Sequence, residues 1–270
     1  MKGTLGTNHT AELHIGGDAY GCDTEKEKAF LNNGGKVIAT AKSIVKDNKF
    51  LLDFGAEYLG ENEFYPTYLV PHYETVNGVT EYVMRTSFNK FKVNSGEVVA
   101  SVQNPYFNRT LEHFCSHMHT PNNPQEEFTG AVINGNVAYI GWDIFSAYAL
   151  HGHLCFKELF KAIMEKMLGS EKAVSVNIPD KAVVTLTRQE KEQRSMLHLL
   201  YAHTTVRGKG TEVIEDTVPL YNVKCSVKYN KKPCKVVLQP QNKEIAFEYV
   251  NGEVTFTVPE VDIHAMVVIE

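Results

Sequence analysis

Three histidines stand close together in His113-Phe114-Cys115-Ser116-His117-Met118-His119-Thr120-Pro121. At spacings of four and two they could converge on a metal ion. His113 and His117 would share one face of a helix, and neutral imidazole is a good zinc ligand. No adjacent carboxylate completes such a set, however, and Pro121 limits any helix. The plainer reading is a structural loop whose imidazoles satisfy backbone groups or an interface, so no metal and no cofactor is expected.

Cys22 is the candidate for covalent chemistry. In Tyr20-Gly21-Cys22-Asp23-Thr24 it lies between a strand candidate and a helix, whose N-terminus would polarise a thiol. A nucleophile of this kind needs a sharp strand-to-helix elbow and a histidine–acid pair. The flanking glycine pattern differs from Gly-x-Ser-x-Gly, and no partner pair can be assigned. Glu61 with Glu63, and Glu126 with Glu127, are paired acids in sequence. Acids in polar segments are usually solvated, and no residue of the chain is expected to be catalytic.

The elements that would position these groups change texture once, near Gly169. Before it, helical patterns alternate with short strands. Leu13-His14-Ile15 reads as a strand, followed by a turn through Gly16-Gly17-Asp18. A helix then opens with Thr24 and Glu27 placed as a capping box and stops at Gly34-Gly35. Val37-Ile38-Ala39-Thr40-Ala41 follows as an apolar strand, the grammar of a parallel sheet with crossover helices. Residues 50–125 are aromatic-rich and read poorly, with strand candidates at 79–84 and 97–103. Asn134-Gly135, between Ala131-Val132-Ile133 and Val137-Ala138-Tyr139-Ile140, is a hairpin signal. Leu159, Phe160, Ile163, Met164, Met167 and Leu168 then recur at helical spacing up to Gly169. His151 and His153 fall where that helix begins.

After Gly169 the pattern alternates with period two. Strand candidates are 174–178, 182–188, 195–201, 213–218, 223–228, 234–239, 244–249 and 253–258, with a last from Ala265 to Ile269 and a turn at Val250-Asn251-Gly252-Glu253. This is the pattern of an antiparallel β-sandwich, for which about 100 residues is the usual size.

Composition narrows the function classes. The 270 residues carry a formal charge of -5, with 43% hydrophobic and 22% charged. There is no basic face to meet a phosphate backbone, so a nucleic-acid partner is disfavoured. No apolar run reaches the length of a membrane span, and residues 1–8 lack the apolar core of a signal peptide. The five cysteines, Cys22, Cys115, Cys155, Cys225 and Cys234, form no Cys-x-x-Cys pair and fit reduced thiols in a cytoplasm.

Four segments carry a family resemblance: Phe50-Leu51-Leu52-Asp53-Phe54-Gly55-Ala56-Glu57-Tyr58-Leu59-Gly60; Asn104 to His117, which begins Asn104-Pro105-Tyr106-Phe107-Asn108-Arg109-Thr110; Gly135 to Ile140 with Ala147 to Gly152; and the terminal Val258 to Glu270. Together they resemble the C-terminal half of bacterial glycoside hydrolases with a β-galactosidase-like layout, a group that includes α-L-fucosidases. The resemblance implies a catalytic (β/α)₈ barrel followed by a β-galactosidase trimerisation-type domain, similar to a glutamine amidotransferase, and then a small β-domain.

The fold it implies is α/β followed by all-β. A partial amidotransferase-like (flavodoxin-like) parallel-sheet domain over 13–170, read as lacking its first βα unit, precedes an antiparallel β-sandwich over 171–270; residues 1–12 stay unassigned. A barrel needs about 250 residues by itself, so the chain reads as a truncated gene product, a fragment or a shortened relative. The function implied is a non-catalytic oligomerisation and accessory region. Its partners would be further copies of itself, in an oligomer such as a trimer, and carbohydrate, reached through His113, His117 and His119. Two other readings stand beside it: a cysteine-dependent amidotransferase-like hydrolase acting through Cys22, and a free carbohydrate-binding module in the β-domain.

Overall fold

The computed structural model describes residues 11–14 and 24–270, and the chain divides into two compact units between Gly169 and Ser170. The protein is mostly β. The first unit contains, in order, β1 (Ala11–His14), α1 (Thr24–Asn32), β2 (Lys36–Thr40), β3 (Val45–Lys46), β4 (Lys49–Phe50), β5 (Ala56–Glu61), β6 (Thr67–Pro71), β7 (Tyr82–Met84), β8 (Asn89–Val93), β9 (Glu97–Pro105), β10 (Asn122–Asn134), β11 (Val137–Ile140), α2 (Ile144–His151) and α3 (Leu154–Leu168). Its main sheet runs β1-β2-β11-β10-β9-β6-β7.

The expected parallel sheet is present in only three of these seven strands. β2 pairs in parallel with β1 on one side and β11 on the other, and every residue of β2 is buried, as suits a strand covered on both faces. From β11 outward, the pairs β11–β10, β10–β9, β9–β6 and β6–β7 are all antiparallel. The reason is the lack of crossover helices. A parallel return needs a crossover of a dozen or more residues, usually a helix. The poorly legible residues 50–125 supply strands and loops but no α-helix. The turn at Gly16-Gly17-Asp18 and the side chain of Thr24, which would open the capping box, lie outside the described residues.

The hairpin at Asn134 is formed, with Asn134 paired to Val137 and Gly135 at φ +61°. Helix α3 buries Cys155, Phe156, Glu158, Leu159, Ile163 and Met167, a stripe at three- and four-residue spacing. His153 precedes it without a side-chain cap bond; its ring stacks instead on His151 and Phe156. At the centre of the core, buried Trp142 tilts against Phe88 and donates from Nε1 to Thr67 Oγ1 at 2.9 Å. Glycines at 130 and 141 admit these rings: a Cβ on Gly130 would lie 2.5 Å from the Trp142 ring, and one on Gly141 would lie 2.3 Å from Phe88.

The second unit contains β12 (Val174–Val176), β13 (Val183–Gln189), β14 (Arg194–Leu200), β15 (Thr205–Arg207), β16 (Thr211–Val213), β17 (Leu220–Lys228), β18 (Val236–Gln239), β19 (Lys243–Glu244), β20 (Phe247–Val250), β21 (Glu253–Val261) and β22 (His264–Ile269). Two antiparallel sheets, β12-β17-β21-β20 and β13-β14-β22-β18-β19, share one hydrophobic core. Val223, Cys225 and Val227 face inward from β17, and Val254, Phe256 and Val258 from β21. Asn251-Gly252 makes the expected two-residue turn, with Val250 paired to Glu253 and both turn residues at positive φ.

Two strand expectations fail here. Residues 214–218 form no strand: Ile214 and Val218 are exposed, so their alternation has no core face to serve. Residues 244–249 are not one strand either, because the chain crosses there from β19 in one sheet to β20 in the other. Among the described residues, no helix is long and apolar enough to cross a membrane.

Candidate functional site

Strands β9 and β10 are neighbours, yet residues 106–121 separate them without helix or strand. Two antiparallel strands can be joined by two residues, and irregular connections beyond about 12–15 residues inside a compact domain are usually functional. The base of this loop is closed by the pairing of Asn122 with Pro105 and by the Tyr106 N–H donating to the Pro121 carbonyl at 3.1 Å.

Side chains pin it further. Tyr68, buried on β6, donates its hydroxyl to the Thr120 carbonyl and meets the His119 ring edge-on. Asn108 accepts from the Tyr65 N–H at 2.9 Å and donates to the Glu63 carbonyl at 2.8 Å. The Thr110 N–H donates to the His113 carbonyl at 2.8 Å, while Thr110 Oγ1 accepts the His113 N–H at 3.0 Å. Phe107 stacks flat on the His113 ring at 4.0 Å. Cys115 Sγ lies 3.6 and 3.5 Å from the carbonyls of His117 and His119.

The loop is thus held from within while its outer apolar side chains face solvent. Leu111 is 99% exposed, Met118 75%, Phe114 69% and Tyr106 60%. The three histidines do not make a metal cluster. With no helix, His113 and His117 share no helical face; His113 is occupied by Phe107, His117 is exposed, and His119 is half-buried beside Tyr68. Among the described residues no group of three or more His, Cys, Asp or Glu side chains is placed to hold a metal ion.

The paired acids do not converge on a common point. Glu126 and Glu127 are successive residues of β10 and turn to opposite faces. Gln103 Nε2 donates to Glu127 Oε2 at 2.7 Å, and Asn104 Nδ2 lies 3.4 Å from Glu126 Oε2. Asn122 donates to Gln103 Oε1 at 2.6 Å, and Asn62 to Asn104 Oδ1 at 2.8 Å. Glu61 is ion-paired with Lys42. This amide ladder at the foot of the loop escaped the sequence reading. Its one local signal was the polar pair Gln103-Asn104 closing an apolar strand.

Two further groups were missed. His72 Nε2 lies 3.0 Å from Ser101 Oγ, with Nδ1 at 3.2 Å from the Val98 carbonyl. Glu158, buried on α3, accepts from the Val76 N–H at 2.7 Å and the Tyr82 hydroxyl at 2.6 Å. Burial, followed by the bond to Glu158, pushes Tyr82 up to about 12. Desolvation also raises the thiols of Cys155 to about 11 and Cys225 to about 12, which keeps both protonated and unreactive near neutral pH. Cys22 lies outside the described residues.

Against known structures, 97% of the chain aligns with α-L-fucosidase isoenzyme 2 from Paenibacillus thiaminolyticus, at 34% identity and a TM-score of 0.90. The chain spans 40% of that protein's length. A β-galactosidase from Bacillus circulans sp. alkalophilus also aligns over 97% of the chain and 32% of its own, at 11% identity and a TM-score of 0.47. No protein-family model matches the chain, and no curated protein matches it. The chain is glycoside-hydrolase-like over nearly its whole length.

Proposed function

We propose that this chain is a non-catalytic accessory and self-association region of a carbohydrate-metabolising glycoside hydrolase of the α-L-fucosidase or β-galactosidase type. The likeness to 40% of a fucosidase supports the enzyme class. The observation that carries the assembly role is the loop over 106–121, which holds Leu111, Phe114 and Met118 outward on a pinned backbone. Large apolar side chains exposed together on one loop are a feature of interaction surfaces. Complete burial of a Leu, Phe or Met side chain stabilises by about 1.5–3 kcal/mol each, so covering all three would favour association.

In this reading the first unit is an amidotransferase-like domain of the trimerisation type whose parallel core is β1, β2 and β11. Its partners are further copies of the chain, as a trimer or a dimer, and neither nucleic acid nor membrane. His113, His117 and His119 lie at the subunit contact or touch carbohydrate there, and the protein works in the cytoplasm.

Light scattering of the full chain tests the assembly. We expect oligomers for the native sequence and a monomer for the combined Leu111→Ser, Phe114→Ser and Met118→Ser variant, with unchanged circular dichroism. A native chain that stays monomeric at high concentration, or a variant that associates equally well, would refute the role.

A further inference from the structure

The outer face of the sheet β12-β17-β21-β20 has no role in the assembly just described. Strand alternation sends Val223, Cys225, Val254 and Phe256 into the core and turns Lys224, Ser226, Thr255 and Thr257 outward. These outward residues, with Ser175 from β12 and Glu248 from β20, line a groove of about 890 Å³. Its wall is the segment Lys243-Glu244-Ile245-Ala246, where the chain crosses between the two sheets.

The chemistry of this lining selects the occupant. Ser226 is engaged by Glu253, but no hydrogen bond or ion pair ties down the side chains of Ser175, Lys224, Glu248, Thr255 or Thr257 among the described residues. The groove therefore offers open hydroxyls, two ammonium donors and two carboxylate acceptors side by side. Lys224 and Lys243 balance Glu244 and Glu248, so there is no net charge to select an anion or a cation. Protein-binding surfaces are depleted in Lys, Glu and Ser at their centres, which argues against a protein partner. Exposed Ala246 and Pro259 add apolar surface, and the volume falls within the range of ordinary ligand sites. A ligand that both donates and accepts along its length, is uncharged and has apolar ring faces would satisfy every part of this lining.

We propose that this groove binds a neutral oligosaccharide; the choice of sugar as the ligand class rests on the glycoside-hydrolase reading above. The test uses the full chain on a printed glycan array, followed by calorimetric titration with 2′-fucosyllactose as neutral probe and 3′-sialyllactose as anionic probe. Neutral glycans should be retained. Lys224→Ala and Thr257→Ala should each weaken binding about fivefold, the worth of one hydrogen bond, without changing the melting temperature. No retained neutral glycan, equal affinity in both variants, or preference for the sialylated probe would each overturn the proposal. Light scattering of the native chain keeps the two readings apart, because absence of sugar binding with an intact oligomer sinks only the groove.

Discussion

Replacing Tyr68 by Phe removes one oxygen from a buried position and tests whether the 106–121 loop is held as described. Tyr68 is 5% exposed and Thr120 2%, so the Thr120 carbonyl would lose its donor in a place water reaches poorly. An unsatisfied buried acceptor costs about 1–3 kcal/mol. Taking about 2 kcal/mol, a unit of this size should lose roughly 4–8 °C of melting temperature. The loop itself should stay attached, because Asn108 and the Tyr106–Pro121 bond anchor it elsewhere. The sharper readout is amide exchange: the Tyr106 N–H, which donates at the loop base, should exchange about 30-fold faster if opening becomes easier by that amount. Amides of the β10–β11 hairpin serve as the control and should not change. Equal exchange at Tyr106 with an unchanged melting temperature would show that Tyr68 does not hold the loop.

Gly130→Ala should destabilise the first unit by about 1–3 kcal/mol through overpacking, since its Cβ would meet the Trp142 ring at 2.5 Å. Trp142 is the only tryptophan, so its emission should shift as well, and an unmoved spectrum at full stability would contradict the packing. Cys225 should make the second unit alkali-sensitive. Its thiol is raised from 9.0 to about 12 by desolvation, so its contribution is complete below pH 9 and is lost as pH rises toward 12. At about 1.4 kcal/mol per unit this amounts to at most about 4 kcal/mol. Denaturant midpoints between pH 8 and 11 should fall less steeply for Cys225→Ala, and parallel curves would remove the thiol from the account. Finally, the chain alone should not hydrolyse aryl α-L-fucosides or aryl β-galactosides; turnover that is lost on replacing one of its own carboxylates would defeat the non-catalytic reading.

Local chemistry determined much of this protein. The turns at Gly135 and at Asn251-Gly252, the stripe of α3 and the alternation of β17 and β21 all follow from residues within a few positions of one another. Backbone conformation and side-chain period are short-range properties, so one sequence suffices to read them. In the second unit the individual strands were legible for the same reason, whereas the pairing of β12 with β17 and of β14 with β22, about fifty to seventy residues apart, was not. Strand direction in the first unit was decided only by tertiary structure: β6 pairs with β9 across about thirty residues, and nothing near Tyr68 or Ser101 records that choice.

The site divides in the same way. The histidines at 113, 117 and 119 stood out by type and spacing, but their separate fates depend on Phe107, on Tyr68 and on a loop fastened from Glu63 and Tyr65. The buried amides of Gln103 and Asn104, the pinning of Val76 by Glu158 and the groove over β17 and β21 all arise from contacts between residues far apart in the chain. Burial and hydrogen-bond partnership are properties of the assembled fold. A polar residue in sequence looks the same whether it will meet water, a carbonyl or a ligand.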